Sequence, residues 1–331
     1  MNAPPSRTDT PPGAPAGRPH RSHTRRNLLV GLGAGVVAGG TALLVGRDGE
    51  EPTPGPQPAT TVTGTPFAPL PAVPADQRLT WSPPVLQDPV HVQVTADEHV
   101  LDLDSSRDYV LVMPSVPLQT ARGLDVTGGR NVVLIGGEIR APDESEEELD
   151  RRALYLKDQT GTIHVEGLRM TGNLAEGINL SQPEGATVQL QNISIDVVRG
   201  TRDGNHADLL QTWLGPDRLL VDGLSGSSNY QAMFLQPNEY DEDGPTPTAF
   251  DLRRLRLRGV DRHGYMLWAP EEADWLQLSD VQVVLEWDRG RSMALEPEDV
   301  WADVEIVEEF TGTMPAGTPG IGYVSPGYAR S

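Results

Sequence analysis

The stretch Asn205-His206-Ala207-Asp208-Leu209-Leu210-Gln211-Thr212-Trp213 sets an imidazole, a carboxylate, an amide and an indole close together. If it enters an extended strand with Leu210 and Thr212 turned inward, Asp208, Gln211 and Trp213 face outward. Glu176 holds the position equivalent to Asp208 one strand earlier. Stacked strands lie ~4.8 Å apart, so the two carboxylates would be about 5 Å apart, or more if the side chains splay. Paired carboxyls at about 5 Å suit a retaining glycosidase, and wider pairs an inverting one. Crowding also pushes one pKa upward, so that one group keeps its proton and serves as acid. In that scheme Asp208 and Glu176 are the acid and the base or nucleophile, and His206 orients one of them or binds a sugar hydroxyl. A uronate lyase is the alternative chemistry. It needs a base and a cation, supplied by Lys157, Arg152 or Arg202, or by a Ca²⁺ held by Glu176 and Asp208. The plainer role for the His-Ala-Asp element is a hydrogen bond that shapes the turn into the strand.

These assignments need a repeat. The pattern apolar-x-apolar-x-(Gly, Asn or polar)-apolar recurs from Ile163, Val188, Leu219, Phe250 and Leu276, with a looser copy from Val133. The starts are 30, 25, 31, 31 and 26 residues apart. Between them lie shorter strands from Ala153, Gly177, Leu209, Ala232 and Gly264. Period-two alternation gives each strand one core face and one outer face. Stacked coils of this size would bury jointly what none buries alone.

Taking Ile178/Leu180 as inward, the equivalent pairs are Leu154/Leu156, Leu210/Thr212, Met233/Leu235 and Tyr265/Leu267. One outward ladder then reads Tyr155, Asn179, Gln211, Phe234, Met266. A second reads Lys157, Ser181, Trp213, Gln236, Trp268, and a third Arg152, Glu176, Asp208, Gln231, His263. Rings and amides in rows suit a glycan, whose C–H faces stack on aromatics and whose hydroxyls bond to Asn and Gln. The substrate-binding candidates are therefore Gln211, Trp213, Asn179, Gln231, Gln236, His263, Trp268, Tyr155, Lys157 and Arg202. The aromatic rows serve this purpose only if loops or the C-terminal tail leave them uncovered.

The coil pattern over roughly 85–309 resembles the right-handed parallel β-helix of the pectate-lyase-like superfamily. The resemblance implies an all-β solenoid of about seven coils. His206-x-Asp208-x-x-Gln211 is similar to an element at the same strand entrance in some sugar-active β-helix proteins. The sequence lacks the double-Asp pattern of polygalacturonases and the Arg-rich pattern of pectate lyases, so no other family residue carries over.

Composition bounds the rest. The 331 residues carry net charge −21, no cysteine and one lysine. That excludes disulfides, thiolate chemistry and Cys-based metal sites, and so acidic a chain repels nucleic acid. Residues 1–46 carry net +4, which leaves −25 on the other 285. Residues 1–27 read as a disordered basic stretch, and 28–46 as an uncharged apolar run of the minimum length to span a membrane. Thr24-Arg25-Arg26-Asn27-Leu28-Leu29 resembles a twin-arginine export signal. With no clear cleavage site after it, the run is expected to anchor an exported chain to the membrane. Residues 47–84 hold ten prolines and read as a stiff spacer. The β-helix is expected over 85–310, and 311–331 as a cap or tail. A monomer is expected, with a polysaccharide or glycan as partner, no nucleic acid, and no cofactor beyond the Ca²⁺ alternative. The acidic run 143–150 looks like a lid or a metal site, but Ser145 followed by Glu148 gives the favoured reading, a capping box for a short helix leading into Leu154. The arginines of 253–258 read as the solvated face of a strand with acidic partners nearby.

Overall fold

A computed structural model describes residues 73–329, apart from 146, 202–203, 242–243, 262–264 and 288–289. The basic stretch 1–27, the apolar run 28–46 and most of the spacer therefore lie outside the described residues. Among the described residues, no helix is long and apolar enough to cross a membrane.

The described residues form an all-β parallel solenoid built on two long sheets. One has eight strands: Val100–Leu103, Leu124–Gly128, Arg152–Lys157, Glu176–Ser181, Leu210–Leu214, Met233–Leu235, Leu267–Trp268 and Leu295–Glu296. The other has twelve, and its main path includes Val132–Ile135, Thr162–Glu166, Thr187–Val198, Arg218–Ser228, Ala249–Gly259 and Leu276–Leu285. Every neighbour in both sheets is parallel, as stacking of successive coils requires.

The fifth position of the repeat has a backbone reason. Gly136, Gly167, Asn192, Gly223, Arg254 and Asp280 all have positive φ, between +50° and +81°. They stack on successive strands and bend each long strand in the middle. Glycine and asparagine tolerate this conformation best, which explains why they punctuate the pattern. The first copy starts at Val132, which pairs with Ile163. The spacing there is 31 residues, so the start expected at Val133 was one residue late.

Ile163, Val165, Val188, Leu190, Leu219, Val221, Phe250 and Leu252 face the core from the larger sheet, and Leu154, Leu156, Ile178, Leu180, Leu210, Met233 and Leu267 from the smaller. Burying one such side chain contributes about 1.5–3 kcal/mol. The gain is realised only when the next coil covers it.

Two terminal segments lie on the larger sheet. From the Pro-rich stretch, Leu79 is fully buried, Thr80 Oγ1 donates to Asp222 at 2.8 Å, and Trp81 N–H donates to Gln191 at 2.9 Å. The tail runs beside it, with Ala316 N–H donating to Gln77 O at 2.8 Å and Leu79 N–H to Gly327 O at 3.0 Å. The tail thus packs on this flank rather than capping an end or covering the aromatic rows. Asn192 Nδ2 donates to the Ala316 and Gly317 carbonyls at 3.1 and 2.9 Å, holding tail to bend.

Beneath the tail lies a buried polar cluster. Glu166 accepts from Tyr323 Oη at 2.9 Å and from Tyr328 Oη at 2.5 Å, and lies 3.1 Å from His164 Nε2. Burial alone would push the Glu166 carboxyl up, but hydrogen bonds from His164 and Tyr328 outweigh it and hold it below its usual range. The arginines of 253–258 do have acidic partners: Arg253–Asp251, Arg254–Asp222, Arg256–Asp280 and Arg258–Glu286. Arg254 and Arg256 are nonetheless largely buried, 13% and 5% exposed in their side chains, because the N-terminal segment and the tail cover them.

Candidate active site

The eight-stranded sheet carries the candidate residues. Its register pairs Tyr155 with Asn179, Asn179 with Gln211, and Gln211 with Phe234, as the repeat predicts. Glu176 pairs with Arg152, and Ser181 with Lys157. One shift departs from the expectation. Met233 pairs with Leu267 and Phe234 with Trp268, so the Leu267–Trp268 strand is displaced by two residues. Tyr265 is therefore exposed rather than inward, Met266 is buried, and Trp268 joins the Tyr155 row instead of facing Gln236. A bulge after Leu180 pairs Ser181 with Leu214, which lifts Trp213 out of its expected row. Asp208 lies on the approach to its strand, which begins at Leu210, and its carbonyl accepts from Gly177 N–H at 2.8 Å. His206 stacks on Tyr230 with centroids 4.8 Å apart. Arg202 and His263 lie outside the described residues.

This wall is not open. Asn179 is fully buried, Asp208 1% exposed, Glu176 and Gln231 3%, Gln211 7% and Phe234 2%. Lys157, Trp213, Gln236 and Trp268 are partly exposed. Asn179 Nδ2 donates to Gln211 at 3.3 Å. The rings form two groups. Tyr155 and Trp213 meet edge to face at 5.5 Å, and Tyr240 meets Trp213 at 6.5 Å. Phe234 and Trp268 stack at 4.6 Å.

One strongly perturbed carboxyl near this wall is a residue the sequence did not assign to the site. Glu148 is raised to about 7, chiefly by burial and next by the charge of the Glu176 carboxylate beside it. Arg152 and Arg151 pull the other way without cancelling these effects. Glu176 is anchored by Arg152, whose Nε donates to Oε2 at 2.6 Å. Asp125, one coil below Tyr155, is also raised, by burial against the pull of Arg152, Arg122, Lys157 and His99.

Glu148 escaped because the Ser145–Glu148 spacing reads as a capping box. No such box forms. Ser145 Oγ donates to Asp150 at 3.1 Å, and the expected helix is one 3₁₀ turn, Leu149–Arg151, with no side-chain cap. That turn brings Glu148 over the start of the Arg152–Lys157 strand. Asp125 could have been found by extending the Tyr155 row one coil toward the N-terminus.

Among the described residues, no group of three or more His, Asp or Glu side chains could hold a metal ion. Glu176 already bonds a guanidinium, so the Glu176–Asp208 pair is a poor Ca²⁺ cradle. No family model, curated protein or solved structure matches the chain.

Proposed function

We propose that the chain is an exported, membrane-tethered right-handed β-helix of the pectate-lyase-like kind that binds and hydrolyses polysaccharide. The observation that carries this reading is the Glu148–Glu176 carboxyl pair beside the aromatic group Tyr155–Trp213–Tyr240. Glu148, which holds its proton to about pH 7, protonates the leaving glycosidic oxygen. Asp208, one coil on from Glu176, is the second carboxylate of the scheme; it is buried in this structure, so it takes a proton from the attacking water only once the groups over it move aside. The expected assignment of the acid to Asp208 or Glu176 thus passes to Glu148.

The test is reducing-end release from a panel of neutral and acidic polysaccharides. Glu148→Gln should lower release by about 10²-fold or more while binding survives. Wild-type release should fall as pH rises through about 7. An equally active Glu148→Gln variant would refute the assignment.

A second reading, a non-catalytic module that holds glycan, is favoured by the burial of Asn179, Glu176 and Asp208. Binding with no release from any polymer would support it.

A further inference from the structure

We infer that Arg152 is a positioning residue that decides which carboxyl of the Glu148–Glu176 pair carries the proton, and that Tyr155 and Trp213 are its clamp. This rests on the reading that the pair is the acid of the site. Two carboxyls side by side do not by themselves specify where one proton resides. A cation bonded to one of them does, because it stabilises the charged form of its own partner most.

Arg152 has that geometry. Its Nε donates to Glu176 Oε2 at 2.6 Å, and the two side chains are 11% and 4% exposed. The guanidinium carbon lies 5.2 Å from the Tyr155 ring centroid and 5.1 Å from that of Trp213. The two rings stand at 71° to each other, so the guanidinium sits in their corner. Such contacts hold a cation over the ring faces, and more strongly where water is excluded. Among the described residues, further charged neighbours act on the pair. Glu148 faces Arg151 as well as Arg152 and Glu176, and Asp125 acts on Arg152 from the coil below.

The clamp changes the part played by the two aromatics. The expectation was that Tyr155 and Trp213 stack on sugar, yet both attend to Arg152 in this structure. Trp213 can reach from two coils away because the bulge after Leu180 releases it from its row. A lysine would not substitute for Arg152, since an ammonium lacks both the planar fork and the ring-stacking face.

The experiment is a carboxyl-carbon NMR titration of the full-length chain from pH 4 to 10, with Glu148→Gln and Glu176→Gln used to assign the two resonances. Arg152→Gln, Arg152→Lys and Trp213→Leu are compared with wild type, and melting curves check that each is folded. In wild type the neutral-range titration should appear on the Glu148 resonance. In Arg152→Gln the acid dissociation constant of the pair should drop about tenfold or more, and the shift change should divide between both glutamates. Arg152→Lys and Trp213→Leu should fall between these limits, and they carry the test if Arg152→Gln does not fold. An unchanged midpoint with the proton still on Glu148 in all three variants overturns the inference but leaves the acid reading intact. A wild-type Glu148 that titrates in the ordinary carboxylate range overturns both.

Discussion

Glu166→Gln tests how the termini are held. The carboxylate takes hydrogen bonds from Tyr328, Tyr323 and His164, and Glu166 and His164 are both fully buried. Hydrogen bonds to a charged group contribute about 1.5–3 kcal/mol each. A glutamine keeps one acceptor oxygen and loses the charge, so about two such bonds weaken, and the expected loss is about 3 kcal/mol near neutral pH. The folded carboxyl titrates below its ordinary 4.5. Its contribution is therefore complete above the unfolded value and disappears as pH falls through the folded one. The difference between wild type and variant should thus be largest at pH 6–7 and shrink below about pH 4. Urea unfolding across pH 3–7 measures it, with hydrogen exchange on residues 315–329 reporting whether the tail loosens first. A difference that is absent at pH 7, or does not change between pH 7 and 3, would refute the account.

Three further substitutions isolate backbone and packing effects. A Cβ at Gly167 would meet the Tyr323 ring 2.1 Å away, whereas one at Gly322 meets nothing within 4 Å, though φ is positive at both. Gly322→Ala should cost about 1–2 kcal/mol and Gly167→Ala clearly more in chemical denaturation; equal costs would mean that the tail does not rest on that bend. Thr212 turns a fully buried side chain inward, and its hydroxyl has no hydrogen-bond partner among the described residues. Thr212→Val should raise the melting temperature, by about 1 kcal/mol of stability, and a destabilised variant would show that the hydroxyl is satisfied after all.

The solenoid was legible because its signal is repeated. Alternation set the inward face, and the fifth position marked the bend even where Arg254 and Asp280 replace glycine, since those residues keep positive φ. The ladder Tyr155–Asn179–Gln211–Phe234 followed from counting alone. Counting failed where the chain breaks phase, at the bulge after Leu180 and in the two-residue shift before Trp268. Neither Ser181 nor Leu267 announces such a break, because a bulge depends on how neighbouring strands end. Glu148 was hidden differently. Its importance comes from a loop folding back over Glu176, and period-two reasoning says nothing about loops. Burial of Asn179 and Asp208 was equally out of reach, because alternation along one strand does not say what lies over its outer row.

The bridge between Leu79 and Tyr328 brings the first and last described stretches together on the same flank. A chain cut down to residues 73–329 could be circularly permuted there with a short connection and opened in a distant loop, leaving the eight-stranded sheet untouched. By the same logic, the first and last described residues enter and leave the solenoid along a single edge, on the larger sheet and away from the eight-stranded sheet that carries the carboxyl pair.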